Sequence, residues 1–240
     1  MSKFRNIVIL TGAGISSESG LATFRKQDGL WCNHRIEEVA TMAAFLANPE
    51  LVHRFYNERR RRLQAAEVKP NAAHDALARL QRAMPGQVHL ITQNVDNLHE
   101  RAGSTQVLHM HGELLKARCR LTDTMYDISG DIHPASDRCG CCQELGTLRP
   151  HIVWFGEMPL CMDQIEACLA KTELFVSIGT SGQVYPAAGF VTRARLRGAQ
   201  TLEINLEKTN DYNEFEQTLI GKASEVVPKW VETMLDGSFT

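Results

Sequence analysis

An apolar run that breaks at once into glycines sets the strongest limit on what this chain can become. Residues 4–10, Phe-Arg-Asn-Ile-Val-Ile-Leu, have the content of a strand buried on both faces. Thr11-Gly12-Ala13-Gly14-Ile15-Ser16-Ser17 follows without a linker, then Glu18-Ser19-Gly20. A Gly-x-Gly loop after a strand lets backbone amides approach a pyrophosphate at a helix N-terminus. The dinucleotide pattern is incomplete. Ser17 stands where the third Gly would be, and no strand-ending acid follows about twenty residues on to take ribose hydroxyls. Asp28, between Arg25-Lys26-Gln27 and Gly29, reads as loop. The pattern points to a nucleotide and away from an ordinary dehydrogenase.

Strands are predicted at 5–10, 88–92, 106–109, 151–155, 173–178 and 200–204. Helices are predicted at 35–47, 50–66, 72–83, 97–102, 161–170, 186–197 and 223–235. This alternation argues for an α/β fold with a doubly wound parallel sheet. Two stretches interrupt it: residues 32–70 add helices, and residues 114–148 have weak periodicity but carry four of the seven cysteines. A chain of 240 residues with 43% hydrophobic and 22% charged content can bury a sizeable core. The net charge of -2 gives no global pull toward nucleic acid or membrane. With no signal-peptide pattern and no window able to span a bilayer, a cytoplasmic protein is expected, its cysteines being thiols or metal ligands.

Two further strand ends carry reactive groups. Val88-His89-Leu90-Ile91 leads into Thr92-Gln93-Asn94-Val95-Asp96, and Val107-Leu108 leads into His109-Met110-His111-Gly112-Glu113. Amides, a carboxylate and an imidazole at carboxyl strand ends are how an open α/β sheet builds a site. Asn94 or Asp96 also suits a plain helix cap before the segment at Asn97. His109 and His111 share a strand face, so periodicity does not separate them. Cys139 and Cys142 have the Cys-x-x-Cys spacing of a zinc knuckle, and Cys119 lies upstream as a third ligand. Asp123, His133 or Cys141 could supply the fourth ligand, the alternative being a degraded site. Cys161 and Cys168, seven residues apart on one helix face, read as packed thiols, as does Cys32.

Gly-Ala-Gly-Ile-Ser with Thr23-Phe24-Arg25, then Gln-Asn-Val-Asp, His-Gly-Glu, Phe155-Gly156-Glu157 and Gly179-Thr180-Ser181 occur here in sirtuin order. From about residue 4 to residue 228 the chain resembles the sirtuin (Sir2) family, and among its members the small bacterial CobB type. The resemblance implies one catalytic domain. Its Rossmann-like part covers 1–31, 71–113 and 149–240, with a helical insertion at 32–70 and a small zinc-ribbon-type module at 114–148. A sirtuin ribbon has two Cys-x-x-Cys pairs; here Cys119 is followed by Arg120, Leu121 and Thr122 with no second thiol. Any zinc is expected to be structural.

The implied activity is NAD-dependent removal of acyl groups from protein lysines, giving nicotinamide and O-acyl-ADP-ribose. The acyl oxygen attacks the ribose carbon as nicotinamide leaves, and His111, directly before the Gly, then serves as general base for a ribose hydroxyl. Gly12, Ala13 and Gly14 are expected near the phosphates with Arg25, and Thr23 and Phe24 on a mobile cofactor loop. Asn94 and Asp96 resemble the residues that hold nicotinamide and ribose, and Gln93 one that contacts ribose and orients the base. Gly179, Thr180 and Ser181 would take phosphate and ribose, Asn205, Leu206 and Glu207 the adenosine ribose, and Ala223 would lie near adenine. Tyr56 and Arg59, three apart on a predicted helix, resemble the Tyr-x-x-Arg pair of sirtuins that remove succinyl or malonyl groups as well as acetyl. Arg60, Arg61 and Arg62 read instead as a solvated basic face. Residues 155–158 and 182–185 would flank an acylated-lysine peptide added as a strand. An NAD or ADP-ribose sensor and a mono-ADP-ribosyltransferase are the alternatives.

Overall fold

The computed structural model describes residues 3–22, 30–31, 34–209 and 215–239. Six parallel strands form the main sheet: β1 (Ile7–Thr11), β4 (Val88–Thr92), β5 (Leu108–His109), β9 (Leu174–Ile178), β10 (Gln200–Asn205) and β11 (Gln217–Ile220). Their order is β11-β10-β9-β1-β4-β5. Chain order reverses between β1 and β9, so the loops leaving these two strands diverge to opposite faces and open a crevice at their carboxyl ends. Every residue of β1 and β9 is buried, as expected for parallel strands covered on both faces.

Alternate residues point to opposite cores. Ile7, Ile9, Leu90, Val176, Leu202 and Ile204 pack with α4 (Ala72–Ala83) and α8 (Ala223–Asp236). Val8, Leu10, Ile91 and Phe175 pack with α6 (Met162–Leu169) and α7 (Phe190–Leu196). Cys161 and Cys168 lie against this second core, as predicted, although Cys161 caps α6 in a left-handed conformation and is not inside it. Cys32 lies outside the described residues.

The first insertion holds a two-residue hairpin, β2 (Leu30–Trp31) with β3 (His34–Arg35), then α1 (Ile36–Val39), α2 (Met42–Ala47) and α3 (Pro49–Leu63). The helix predicted at 35–47 is two short helices, because the Thr41 side chain accepts from the Ala44 amide and starts α2 afresh. Asn48 caps α3 in the same way through the Leu51 amide, with Pro49 at the first helical position. A short helix, α5 (Leu98–Arg101), follows β4.

The second insertion is a three-stranded antiparallel sheet of order β7-β6-β8. Its strands are β6 (Gly112–Cys119), β7 (Met125–Asp127) and β8 (Leu148–Ile152). The strand predicted at 151–155 belongs here and ends at Ile152. β2, β3, β6, β7 and β11 have no counterpart among the predicted strands. β6 is interrupted by a bulge between Gly112 and Ala117, and β11 is an edge strand with no fully buried residue, so neither shows a clean apolar run.

Candidate active site

The loop after β1 winds into a 3-10 turn, Ala13–Ser19. Gly14 donates its amide to the Gly179 carbonyl at 2.8 Å. A Cβ on Gly14 would lie 2.7 Å from Gly179, so the two loops at the switch point interlock only without side chains. The Ser17 hydroxyl turns back to the Gly14 carbonyl at 2.8 Å.

Side chains from three strand ends meet here. Gln93 Nε2 donates to Thr180 Oγ1 at 2.9 Å, and Asn205 Nδ2 donates to the Thr180 carbonyl at 2.9 Å. Thr180 therefore ties the ends of β4, β9 and β10 together and caps no helix. Deeper in, Ser16 Oγ accepts from Asn94 Nδ2 at 3.1 Å and donates to Asp96 Oδ2 at 3.0 Å. Asp96 Oδ1 accepts from the Leu98 amide at 3.0 Å, at the first residue of α5, while the N-cap position itself is Asn97. Burial pushes the Asp96 carboxyl up, against these two hydrogen bonds.

Ser16 and His74 are two further side chains of the site. His74 Nε2 lies 3.4 Å from Ser16 Oγ, and burial drives its imidazole down to about 4. The signal for Ser16 was its place two residues after Gly14 in the loop.

The two histidines separate cleanly. His109 Nε2 faces the Glu100 carboxylate at 2.8 Å, and its Nδ1 faces the Asn94 carbonyl at 3.3 Å. Both partners only accept, so both ring nitrogens are placed to donate. Burial alone would lower the His109 pKa, but the Glu100 carboxylate outweighs it and the net shift is upward. The surroundings of His109 favour its protonated form.

His111 differs. Its Nδ1 donates to the Gln93 carbonyl at 3.1 Å, which fixes the tautomer with the lone pair on Nε2. Burial lowers its pKa, partly offset by that carbonyl. The next residue, Gly112, has φ +85°, and a Cβ there would meet the His151 carbonyl oxygen at 2.0 Å. No other residue fits that turn, which aims His111 from the end of β5 toward Gln93.

The remaining predicted positions scatter. Ser181, Leu206 and Glu207 are exposed at the rim. Ala223 begins α8 and is buried, and its neighbour Ser224 is held by Glu18 from the β1 loop. Thr23, Phe24 and Arg25 lie outside the described residues. In α3, Tyr56 is fully buried and accepts from Trp154 Nε1 at 3.0 Å. Arg59 Nη1 donates to the Phe55 carbonyl at 2.6 Å with its guanidinium over the Phe55 ring.

One expectation fails here. Arg60 is no part of a solvated face: it is 0% exposed and donates to Leu114, Asn57 and Gly130 oxygens. Arg61 and Arg62 are on the surface, paired with Asp131 and Glu67. Phe155 and Met158 are exposed, but Glu157 turns inward to Arg149.

In the second insertion, the Sγ atoms of Cys119, Cys139, Cys141 and Cys142 all lie within 4.8 Å of one another. A tetrahedral zinc with four thiolates needs sulfurs about 3.8 Å apart. Cys119 and Cys142 are separated by 3.8 Å, and Cys139 and Cys141 by 3.2 Å, so the donor set fits. Of the three candidates for the fourth position, Cys141 lies within the cluster, and Asp123 and His133 are not part of it. Cys141 lies 3.0 Å from Thr122 Oγ1, the residue where a two-pair ribbon would have its second thiol. Elemental analysis is expected to find about one zinc per chain, closing a structural four-ligand site. Cys141→Ser should lose that metal to a chelator at least tenfold faster than wild type; equal retention would remove Cys141 from the ligand set.

The arrangement is that of a nucleotide-dependent enzyme of the sirtuin class. The model of the Sir2 family matches residues 12–186, and the chain belongs to that family. It is 60% identical over 240 residues to the NAD-dependent protein deacylase SIR2rp3 of Leishmania major, covering 99% of each chain. It is 58% identical over 231 residues to the NAD-dependent protein deacylase of Escherichia coli K12, covering 96% of this chain and 82% of that one. A solved Sir2 homologue in complex with NAD superposes with a TM-score of 0.87 at 39% identity, covering 98% of this chain and 91% of the other. Among the described residues no helix is long and apolar enough to cross a membrane.

Proposed function

We propose that this protein removes acyl groups from protein lysines with NAD as co-substrate, His111 acting as general base. The observation that carries this reading is the His111 tautomer: Nδ1 is committed to the Gln93 carbonyl, and Nε2 is the basic nitrogen at the crevice. NAD supplies a glycosidic bond to a cationic nicotinamide, a good leaving group. The donor set suits it. Asn94 and Asp96 are preset by Ser16 to take the nicotinamide end. Gln93, Thr180 and Asn205 suit the ribose and phosphate oxygens, joined by Gly12, Ala13, Gly14, Gly179 and Ser181. Leu206, Glu207 and Ala223 are assigned to the adenosine end, and Thr23, Phe24 and Arg25 to the loop over the cofactor. His111 takes a proton from a ribose hydroxyl, activating it against the acyl carbon.

The acyl group is assigned to Tyr56 and Arg59, and the range extends to succinyl beside acetyl. Arg59 would exchange a neutral carbonyl, that of Phe55, for a carboxylate, which adds ion pairing and can take the guanidinium fork through two parallel bonds. We place the reaction in the cytoplasm, on acylated-lysine proteins. Thiols without disulfides among the described residues suit a reducing compartment.

The test is mass spectrometry of matched acetyl-lysine and succinyl-lysine peptides with and without NAD. Loss of both acyl groups only with NAD, with O-acyl-ADP-ribose formed, is the expected result; NAD-derived label left on protein would favour ADP-ribosyl transfer. Arg59→Met is expected to cut kcat/KM for the succinyl peptide by about 10- to 100-fold and to affect the acetyl peptide far less. An equal loss on both would sink the pocket assignment.

A further inference from the structure

We propose that Trp154 is a positioning residue for acyl selectivity, its indole N–H presetting the Tyr56 hydroxyl as a donor toward acidic acyl groups. This rests on reading Tyr56 and Arg59 as the partners of the acyl carboxylate. Trp154 and Tyr56 are 98 positions apart, in the segment after β8 and in α3, yet their polar atoms meet at 3.0 Å. Both side chains are buried, at 1% and 0% exposure.

The direction of this bond is unambiguous. An indole nitrogen only donates, so the phenol oxygen accepts. The phenol proton is thereby turned away from Trp154. A carboxylate has only acceptors, so it needs that proton; a hydroxyl presenting lone pairs would repel it. Burial holds the Tyr56 phenol well above its usual pKa, so the proton stays in place at neutral pH.

Trp154 is itself braced. The Arg149 guanidinium lies 3.5 Å from the centre of its ring. Arg149 holds Glu157 through two bonds, 2.6 and 2.9 Å, and Glu157 also accepts from the Trp154 backbone amide at 2.8 Å. The Phe45 ring packs at 5.2 Å. Arg149, Glu157 and Phe45 thus fix the indole, and the indole fixes the phenol. Glu157, which the sequence placed beside the peptide, acts here as an anchor.

The experiment compares wild type, Arg59→Met, Trp154→Phe, Tyr56→Phe and the Trp154→Phe/Tyr56→Phe double variant on succinyl and acetyl peptides. Phe keeps an aromatic ring against Arg149 and removes the N–H. Loss of one oriented hydrogen bond predicts that Trp154→Phe raises the succinyl KM by about fivefold to tenfold with kcat little altered, and shifts the acetyl KM much less. In the Tyr56→Phe background, where there is no hydroxyl to orient, adding Trp154→Phe should change the succinyl KM by less than about twofold. Equal losses on both peptides, or a full multiplicative effect in the double variant, would show Trp154 to be structural packing and overturn the proposal. If Arg59→Met loses the succinyl preference and Trp154→Phe does not, the proposal falls while the acyl pocket stands. If Arg59→Met has no selective effect, both fall together.

Discussion

Replacing His111 with Asn is expected to lower the deacylation rate by about 10²- to 10⁴-fold, the usual contribution of a positioned general base. NAD binding, measured by calorimetry, should survive, because Asn94, Asp96 and Thr180 are held by partners other than His111. His109→Asn makes the contrast. It removes a buried imidazole paired with Glu100, so its main effect should be on thermal stability. Loss of chemistry in the His109 variant alone would reverse the assignment.

The same histidine sets a pH dependence. A general base works in its neutral form, and burial lowers the His111 pKa below 6.5. The rate should therefore be on its plateau at pH 7 and decline only as pH falls through a value below 6.5. An acidic limb above that value would mean that another group, or a His111 in a different tautomer, limits the reaction.

Arg60→Met is expected to destabilise the fold by about 2–4 kcal/mol, read as a lower urea midpoint with unchanged slope. Arg60 bridges α3 to the second insertion through the Leu114 carbonyl at 2.9 Å and the Gly130 carbonyl at 3.1 Å. Burial lowers its pKa to about 10, so it remains charged at neutral pH. Met preserves the stem and leaves those carbonyls buried without this donor. Asn57 reinforces the junction by exchanging two bonds with Ile132. Arg61→Met removes a surface pair with Asp131, and Arg62→Met removes a pair with Glu67 and two bonds to the Gly20 carbonyl; each should cost clearly less than Arg60→Met. Similar costs at all three positions would mean that Arg60 is not the rivet described.

The run of four arginines at 59–62 hides a buried position for a geometric reason. At 3.6 residues per turn, four consecutive residues face almost every direction, so one of them must point inward. The buried face of α3 runs through Val52, Tyr56, Arg60 and Leu63, a spacing of four, four and three. That stripe was present in the sequence. The charge concealed it, because a buried arginine is rare unless partners are supplied, and here they come from Leu114 and Gly130, more than fifty positions away.

What the sequence determined by itself was local. Short apolar runs ending in Gly-Ala-Gly, Gln-Asn-Val-Asp and His-Gly-Glu place a strand end and its reactive groups within a few residues of each other. The requirement for glycine at 112 is likewise a matter of one turn. Those features carried the parallel sheet, the site at its carboxyl edge and the family. Tertiary structure decided everything that depends on a distant partner. Glu100 and the Asn94 and Gln93 carbonyls separate His109 from His111, which share one strand period. Folding of the second insertion brings Cys141 to Cys119 and completes the donor set broken at Thr122. Trp154 reaches Tyr56 across 98 positions. The reason is the same in each case: a residue's type and spacing state what it can donate, accept or ligate, while burial and the partner that meets it fix which of those it does.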